Sequence, residues 1–320
     1  MDMKLRILIA FVFSLFFIGW LGAADQQLLN LVMPDAKVLA GINVDQAKSS
    51  PFGQYLIRQI QANDAHFPQI VTATGFDPTR DLDELLIASN AAQPHAGNLT
   101  LARGIFNASQ IGTAAKNAGG LVQTYKGITI IGDSKGAEGF ALLTGTLGVA
   151  GDLAGVKAAI DRQTAPTTLP AALLVAVNSL STTEDAWAIS QVPPPTNIAP
   201  PHVPNFPALP PNAFQNIQQA SGGLTFGSNV VLTAQLQTAT PQDATALAGV
   251  LQFLANLGLM KAQQDAALGT ALKTLMFSAS GSTVNVSASL SEPEAEALVQ
   301  FKPHAKTARP QSQRRNRNSF

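Results

Sequence analysis

The sequence predicts an α+β fold made of two related lobes of antiparallel sheet. Helices are expected mainly on one face, and the two sheets can join into one. Two observations favour this class: hairpins whose strands alternate between apolar and polar residues, and helix-start signals placed between them. A third is a pair of similar apolar segments ending in asparagine, Val38–Asn43 and Leu173–Asn178, which indicates an internal repeat.

Three hairpins carry the strand prediction. Gly281 and Ser282 form a turn typical of a two-residue hairpin. Counting back across this turn sets three apolar pairs opposite each other, namely Ala279 with Val284, Phe277 with Val286 and Leu275 with Ala288. The other hairpins join Leu121–Tyr125 to Ile128–Ile131 and Leu224–Phe226 to Val230–Leu236. Further strands are predicted at Lys37–Val44, Leu85–Ser89, Leu99–Phe106, Phe140–Val149 and Leu173–Asn178.

Capping residues predict where the helices begin. A side-chain oxygen at such a position accepts a hydrogen bond from a backbone N–H of the first turn. Ser291 and Glu294 form a capping box, and Thr240 precedes an apolar stripe with helical spacing. The predicted helices are Phe52–Asn63 after Ser50, a segment from Asn107 or Ser109 to Gly119, Leu153–Arg162 after Asp152, a long helix after Thr240, and Ala295–Phe301.

Composition excludes several classes of function. The 320 residues include 20 Lys+Arg, 20 Asp+Glu and no cysteine, so disulfides, thiol nucleophiles and cysteine-ligated metals are excluded. Residues 25–301 hold 12 basic and 19 acidic residues, a net charge of −7, which disfavours nucleic-acid binding by the body. Residues 302–320, the C-terminal tail, hold six cations, and Arg314, Arg315 and Arg317 there could contact an anionic surface. Gly145–Gly151 lacks the spacing of a phosphate loop, and no cofactor is predicted.

The N-terminus has the pattern of an export signal. Lys4 and Arg6 precede the apolar run Ile7–Leu21, and small residues follow up to Ala24. We therefore predict a signal peptide over residues 1–24, cut between Ala24 and Asp25. The alternative is an uncleaved membrane anchor. Because large secreted eukaryotic domains usually carry disulfides, the absence of cysteine favours a secreted or periplasmic protein of a bacterium.

The rest of the chain divides into three predicted segments. An N-terminal lobe covers 25–165, and a C-terminal lobe covers 166–301 and contains a proline-rich loop at 193–211. Residues 302–320 are polar and basic without an apolar period, which is typical of a disordered tail.

Three segments resemble parts of uncharacterised exported bacterial proteins. They are Met33–Val44, with a strand after Pro-Asp-Ala, the helix start Ser50–Gly53, and the helix Gly151–Arg162. The resemblance covers roughly the first half of the chain. It implies a repeated α+β fold and export, and it implies no activity.

Asp77, Asp81, Asp83 and Glu84 form the densest acidic cluster. Such carboxylates could bind calcium or provide the carboxylate pair of a glycosidase. The spacing of a calcium loop is missing, and acids near a helix N-terminus are stabilised by the helix dipole, so we favour a structural role. The four histidines have no metal-ligand spacing.

These features together favour a non-catalytic protein over an enzyme. The expected function is an exported binding or interaction protein of the bacterial envelope, with an unidentified partner or an apolar ligand. A homo-oligomer is also compatible with the low charge, since weakly charged surfaces resist association less. The alternative is an extracytoplasmic hydrolase with a carboxylate or serine site near Asp77–Glu84.

Overall fold

The computed structural model describes residues 24–63, 67–93, 96–133, 135–192, 214–262 and 265–299. The predicted proline-rich loop, the basic tail and nearly all of the signal peptide lie outside these residues. The strands are β1 Val38–Asn43, β2 Leu82–Gln93, β3 Ala96–Gly104, β4 Leu121–Tyr125, β5 Ile128–Gly132, β6 Glu138–Thr144, β7 Leu147–Asp152, β8 Ala186–Ser190, β9 Ile217–Phe226, β10 Asn229–Thr238, β11 Met276–Ser280 and β12 Thr283–Ser291. The helices are α1 Gln26–Leu29, α2 Val44–Ser49, α3 Pro51–Asn63, α4 Phe67–Thr74, α5 Pro78–Asp81, α6 Ala108–Asn117, α7 Leu153–Arg162, α8 Ala171–Thr183, α9 Pro241–Lys261, α10 Ala266–Thr274 and α11 Glu292–Leu298.

The strands form one antiparallel sheet in the order β11-β12-β10-β9-β8-β1-β2-β3-β7-β6-β5-β4. The two predicted lobes meet where β1 pairs with β8, which sets Leu39 opposite Ile189. On its other side β1 pairs with β2, and Leu39 lies opposite Ala88. The α+β class and the shared continuous sheet are therefore confirmed.

Helices pack on both faces of the sheet. The first face carries Leu39, Leu86 and Leu101, which form the main core with buried residues of α1, α7 and α8. The second face carries Phe226 and Val230, which pack against Phe52 and Leu56 of α3 and Ala295 of α11. On the same face α9 covers Val284 and neighbouring residues of β10 and β12.

The prediction that helices cover mainly one face holds for the C-terminal flank of the sheet, which is formed by β10, β12 and β11. There the first face carries polar residues of β10 and β12, such as Thr233, Gln235 and Asn285, beside the apolar Val284 and Val286 of the second face. On the N-terminal flank, β6 has apolar residues at successive positions from Phe140 to Leu143. Since successive side chains in a strand point to opposite faces, both faces of β6 need a cover.

Most predicted elements are confirmed. Asn107, Asp152 and Thr240 each cap the helix that they were expected to begin, and the capping box of Ser291 and Glu294 is present. The β11–β12 hairpin has the predicted register at Ala279–Val284 and Phe277–Val286. The third pair is wrong, because the ladder ends at Met276 and Leu275 instead forms the C-cap of α10.

Two strand predictions are wrong. Leu173–Asn178 lies within helix α8, whose buried residues Leu173, Val177 and Ser181 recur every four positions. A short apolar run fits a buried strand as well as a helix, and here the regular segment continues for 13 residues, which exceeds a typical strand. Phe140–Val149 is divided between β6 and β7, which turn at Gly145 and Thr146. The two segments that suggested an internal repeat differ, since Val38–Asn43 is a strand and Leu173–Asn178 lies in a helix. The internal repeat therefore stays a prediction.

Candidate functional site

A groove with a volume of about 420 Å³ lies between helix α6 and strands β4, β5 and β6. We call it the α6 groove. It is lined by Ala108, Ser109, Ile111, Gly112, Thr113 and Lys116 of α6, by Val122, and by Gly127, Ile128, Thr129, Ile131, Phe140 and Leu142 of the hairpin turn and the two next strands.

The floor of the α6 groove is an apolar row across the sheet. Val122 on β4 lies opposite Ile131 on β5, and Ile131 lies opposite Phe140 on β6. Residues directly opposite each other in antiparallel strands project from the same face, so the three side chains form one continuous surface. Val122 is 41% exposed, Ile131 is only 8% exposed and Phe140 is partly exposed, so the row is most buried at its centre.

Helix α6 forms the wall of the groove. The Asn107 side chain caps this helix by accepting a hydrogen bond from the Gln110 N–H at 3.1 Å. Ile111 and Ala115 bury its inner side. Gly112 lies one residue after Ile111, and a Cβ built there would have no heavy atom within 4 Å. The missing side chain at Gly112 therefore leaves part of the groove open.

Polar groups surround this apolar floor. Ser109, Thr113 and Thr129 provide hydroxyl groups, and Lys116 is the charged residue among those that line the groove. Binding sites for small molecules typically combine an apolar surface with a few polar groups that orient the ligand. The groove thus suits a mainly apolar molecule with one polar or anionic end.

The predicted acidic cluster lies outside the α6 groove, around α5 and the start of β2. Asp77 caps α5, because its Oδ1 accepts hydrogen bonds from the Thr79 N–H at 2.9 Å and the Thr79 hydroxyl at 2.6 Å. Asp81 accepts hydrogen bonds from both Nε and Nη2 of Arg80 at 2.6 Å. This hydrogen-bonded guanidinium lowers the pKa of the Asp81 carboxyl. Both carboxylates thus stabilise the turn around α5.

Asp83 and Glu84 follow at the start of β2, where the pairing with β3 is irregular and skips Asp83. Burial, followed by the nearby Asp45, raises the pKa of Asp83. Burial raises the pKa of Glu84 to about 7, and Glu84 Oε1 accepts a hydrogen bond from the Asp25 N–H at 2.9 Å. Within the described ranges, no group of three or more His, Asp or Glu residues is placed to hold a metal ion.

The structure therefore brings together residues that the sequence did not single out. None of the four predicted acidic residues lines the α6 groove. Two signals pointed to it indirectly: the apolar residues on both faces of β6, and a glycine inside helix α6. Neither signal identifies a groove without the pairing of β4, β5 and β6.

One helix in the described part of the chain is long and apolar enough to cross a membrane by length and composition. It is Pro241–Met260 of α9, and 22% of it is buried in the protein. Its inner side packs on the sheet through Ala244 and Leu247.

Comparison with solved structures shows the same fold in TP0453. Its crystal form III matches with a TM-score of 0.54 and 14% identity, over 86% of this chain and 97% of that chain. Its crystal form IV matches with a TM-score of 0.51 and 14% identity, over 85% and 96% respectively. No protein-family model and no curated protein matches the sequence. At this identity the likeness concerns the fold alone.

Proposed function

We propose that this chain is an exported, non-catalytic binding protein of the bacterial envelope that holds a small apolar ligand in the α6 groove. The observation that carries the proposal is the apolar row of Val122, Ile131 and Phe140 beneath a helix that leaves space at Gly112. The volume of about 420 Å³ lies in the range of small-molecule sites. The export signal predicted for residues 1–24 supports the location.

The chemistry of the groove defines the class of ligand. Burying an apolar chain against the floor contributes about 25 cal/mol per Å² of apolar surface removed from water. Lys116 and the Ser109 hydroxyl group can donate to an anionic or hydroxylated end. The Thr113 hydroxyl donates to the Ser109 carbonyl oxygen at 2.8 Å and can accept a hydrogen bond from a hydroxylated end. A single-chain amphiphile combines both features and fits better than a highly charged molecule.

Calorimetric titration with dodecanol and with dodecanoate tests this proposal. We expect Gly112→Leu, which fills the groove, to weaken binding of both probes at least tenfold. Lys116→Gln should weaken binding of dodecanoate more than that of dodecanol. Gly249→Leu is the matched control, since Gly249 on α9 is also open and lies outside the groove. Equal binding by the Gly112→Leu and wild-type proteins would overturn the proposal.

The alternative function is an extracytoplasmic hydrolase near Asp77–Glu84. The pKa of Glu84 near 7 favours it, because a general acid or base works best close to the ambient pH. The hydrogen bonds of Asp77 and Asp81 within the α5 turn favour the structural role instead. Alanine at Asp81 and Asp83, with glutamine at Glu84 as a separate variant, distinguishes the two: the hydrolase requires a hydrolysis rate that disappears while the fold remains intact.

A further inference from the structure

The backbone nitrogen of Asp25 is held against a partly buried carboxylate. Glu84 on β2 and Arg103 on β3 lie directly opposite each other and project from the first face of the sheet. The Asp25 nitrogen donates to Glu84 Oε1 at 2.9 Å. Asp25 is also the residue that follows the predicted signal cleavage site. The residue expected to become the N-terminus is therefore the same residue whose nitrogen contacts Glu84.

Several hydrogen bonds fix Asp25 in this place. Its Oδ1 accepts from the Gln27 N–H at 2.6 Å and so caps α1. Its Oδ2 accepts from Arg103 Nε at 2.9 Å, and Arg103 Nη2 also donates to Gln27 Oε1 at 2.8 Å. Behind these contacts, Leu28 and Leu29 of α1 are almost completely buried in the core. The nitrogen of Asp25 therefore has a defined position.

In the uncut chain this arrangement leaves the charge of Glu84 poorly compensated. The group that donates to it is a neutral peptide N–H, and the guanidinium of Arg103 bonds to Asp25. Burial first, and the Asp25 carboxylate as well, raise the pKa of Glu84, while Arg103 lowers it. Removing a carboxylate even partly from water costs free energy unless a cation lies beside it.

We infer that the Glu84 carboxylate binds the α-amino group that forms when the chain is cut between Ala24 and Asp25. A processing peptidase would catalyse this hydrolysis. Water adds across the peptide bond, its hydroxyl going to the Ala24 carbonyl carbon and its proton to the Asp25 nitrogen. The amine then takes a proton from solvent. The ammonium forms at the atom that already lies 2.9 Å from Glu84 Oε1.

Processing therefore replaces an amide–carboxyl hydrogen bond by a partly buried ion pair. Charge-assisted hydrogen bonds are about twice as strong as neutral ones. The new ammonium keeps Glu84 ionised at neutral pH, and the carboxylate in turn keeps the amine protonated. The inference does not depend on the α6 groove, because Asp25, Glu84 and Arg103 do not line it.

The first test determines where the mature chain begins. The full chain is expressed in a bacterial host, and the exported protein is analysed by intact mass and N-terminal sequencing. We expect Asp25 as the first residue. A mature chain that begins at any other residue would overturn the inference.

The second test compares two N-termini in the purified protein. One chain is released from a fusion so that it begins at Asp25, and the other retains residues 22–24. In the chain that begins at Asp25, Glu84→Gln should lower the melting temperature by about 3–6 °C, because it removes the partner of the ammonium. In the extended chain the same substitution should leave it unchanged or raise it. Equal losses in both chains would contradict the inference.

A chemical readout separates the ion pair from a merely structural role. We expect the α-amino group of the chain that begins at Asp25 to react with an acylating reagent at pH 7 about tenfold more slowly than in its Glu84→Gln variant. The matched control is Glu296→Gln on α11, which also removes one negative charge but lies more than 270 residues after Asp25 in the sequence. Equal rates for wild type and Glu84→Gln would show that Glu84 does not hold the amine.

Discussion

Gly41 on β1 illustrates how one residue limits the packing of the sheet. Gly41 lies opposite Trp187 of β8, and a Cβ added at Gly41 would lie 2.3 Å from Cε2 and Cζ2 of the indole ring. Trp187 is 3% exposed and has little room to move. We expect Gly41→Ala to lower the free energy of unfolding by about 1–3 kcal/mol through overpacking.

Urea unfolding measures this effect. Gly249→Ala on the exposed side of α9 is the control, because its Cβ would have no neighbour within 4 Å. Alanine there should raise the free energy of unfolding by about 0.5–1 kcal/mol through helix propensity. Losses of equal size at both positions would contradict the packing explanation.

The raised pKa of Glu84 makes the stability of the chain that retains residues before Asp25 depend on pH. Its pKa in the folded protein is about 7, against an ordinary value of 4.5. Folding therefore favours the protonated acid, so this stability is present below pH 4.5 and is lost as the pH rises through 7. We expect a loss of about 2–3 kcal/mol between pH 4.5 and 8 that is absent in Glu84→Gln. An identical loss in the variant would assign the dependence to other groups.

At the scale of elements, the N-cap of α9 is expected to contribute measurably to stability. Thr240 Oγ1 accepts a hydrogen bond from the Asp243 N–H at 3.1 Å and lies 2.6 Å from Asp243 Oδ2, to which it donates. Thr240→Ala should lower the free energy of unfolding by about 1 kcal/mol. Thr245→Ala, one turn further and exposed, should have almost no effect or raise it slightly. Thermal unfolding of both variants checks this, and equal losses would argue against the cap.

Elements that depend on local chemistry could be predicted from the sequence. Caps at Asn107, Asp152 and Thr240 act within three residues, and the turn at Gly281 sets the register of its own hairpin. Helix α8 could not be recognised in this way. Its N-cap, Pro170, makes no side-chain hydrogen bond, and its apolar run fits a strand equally well.

At the scale of the whole molecule, the α6 groove depends on how consecutive elements between Ala108 and Leu142 pair and pack. Val122, Ile131 and Phe140 are joined by strand pairing, and the wall at Gly112 comes from a helix that precedes all three. The predicted hairpin already implied that Val122 lies opposite Ile131, whereas the pairing of β5 with β6 and the position of α6 were not visible from spacing along the chain. The acidic cluster, in contrast, was visible as a run of sequence, and the structure uses Asp77 and Asp81 within one turn.

The charge distribution fits this account. The chain from Gln163 to Met260 holds three acidic residues and no basic residue, so its surface offers little to an ionic partner. The groove lies in the other half of the sheet, where Lys116 is available beside an apolar floor. Fold likeness at 14% identity adds no ligand to this picture, so the proposal depends on the groove itself.

The central claim is that the α6 groove binds an apolar ligand, and amide chemical shifts measured by NMR during titration with dodecanol test it most directly. We predict saturable shifts at Gly112, Ile131 and Phe140, and their loss in Gly112→Leu. Little change is expected at Thr233 and Asn285 on the polar face of the C-terminal flank. Shifts confined to other regions, or none at saturating dodecanol, would contradict the claim.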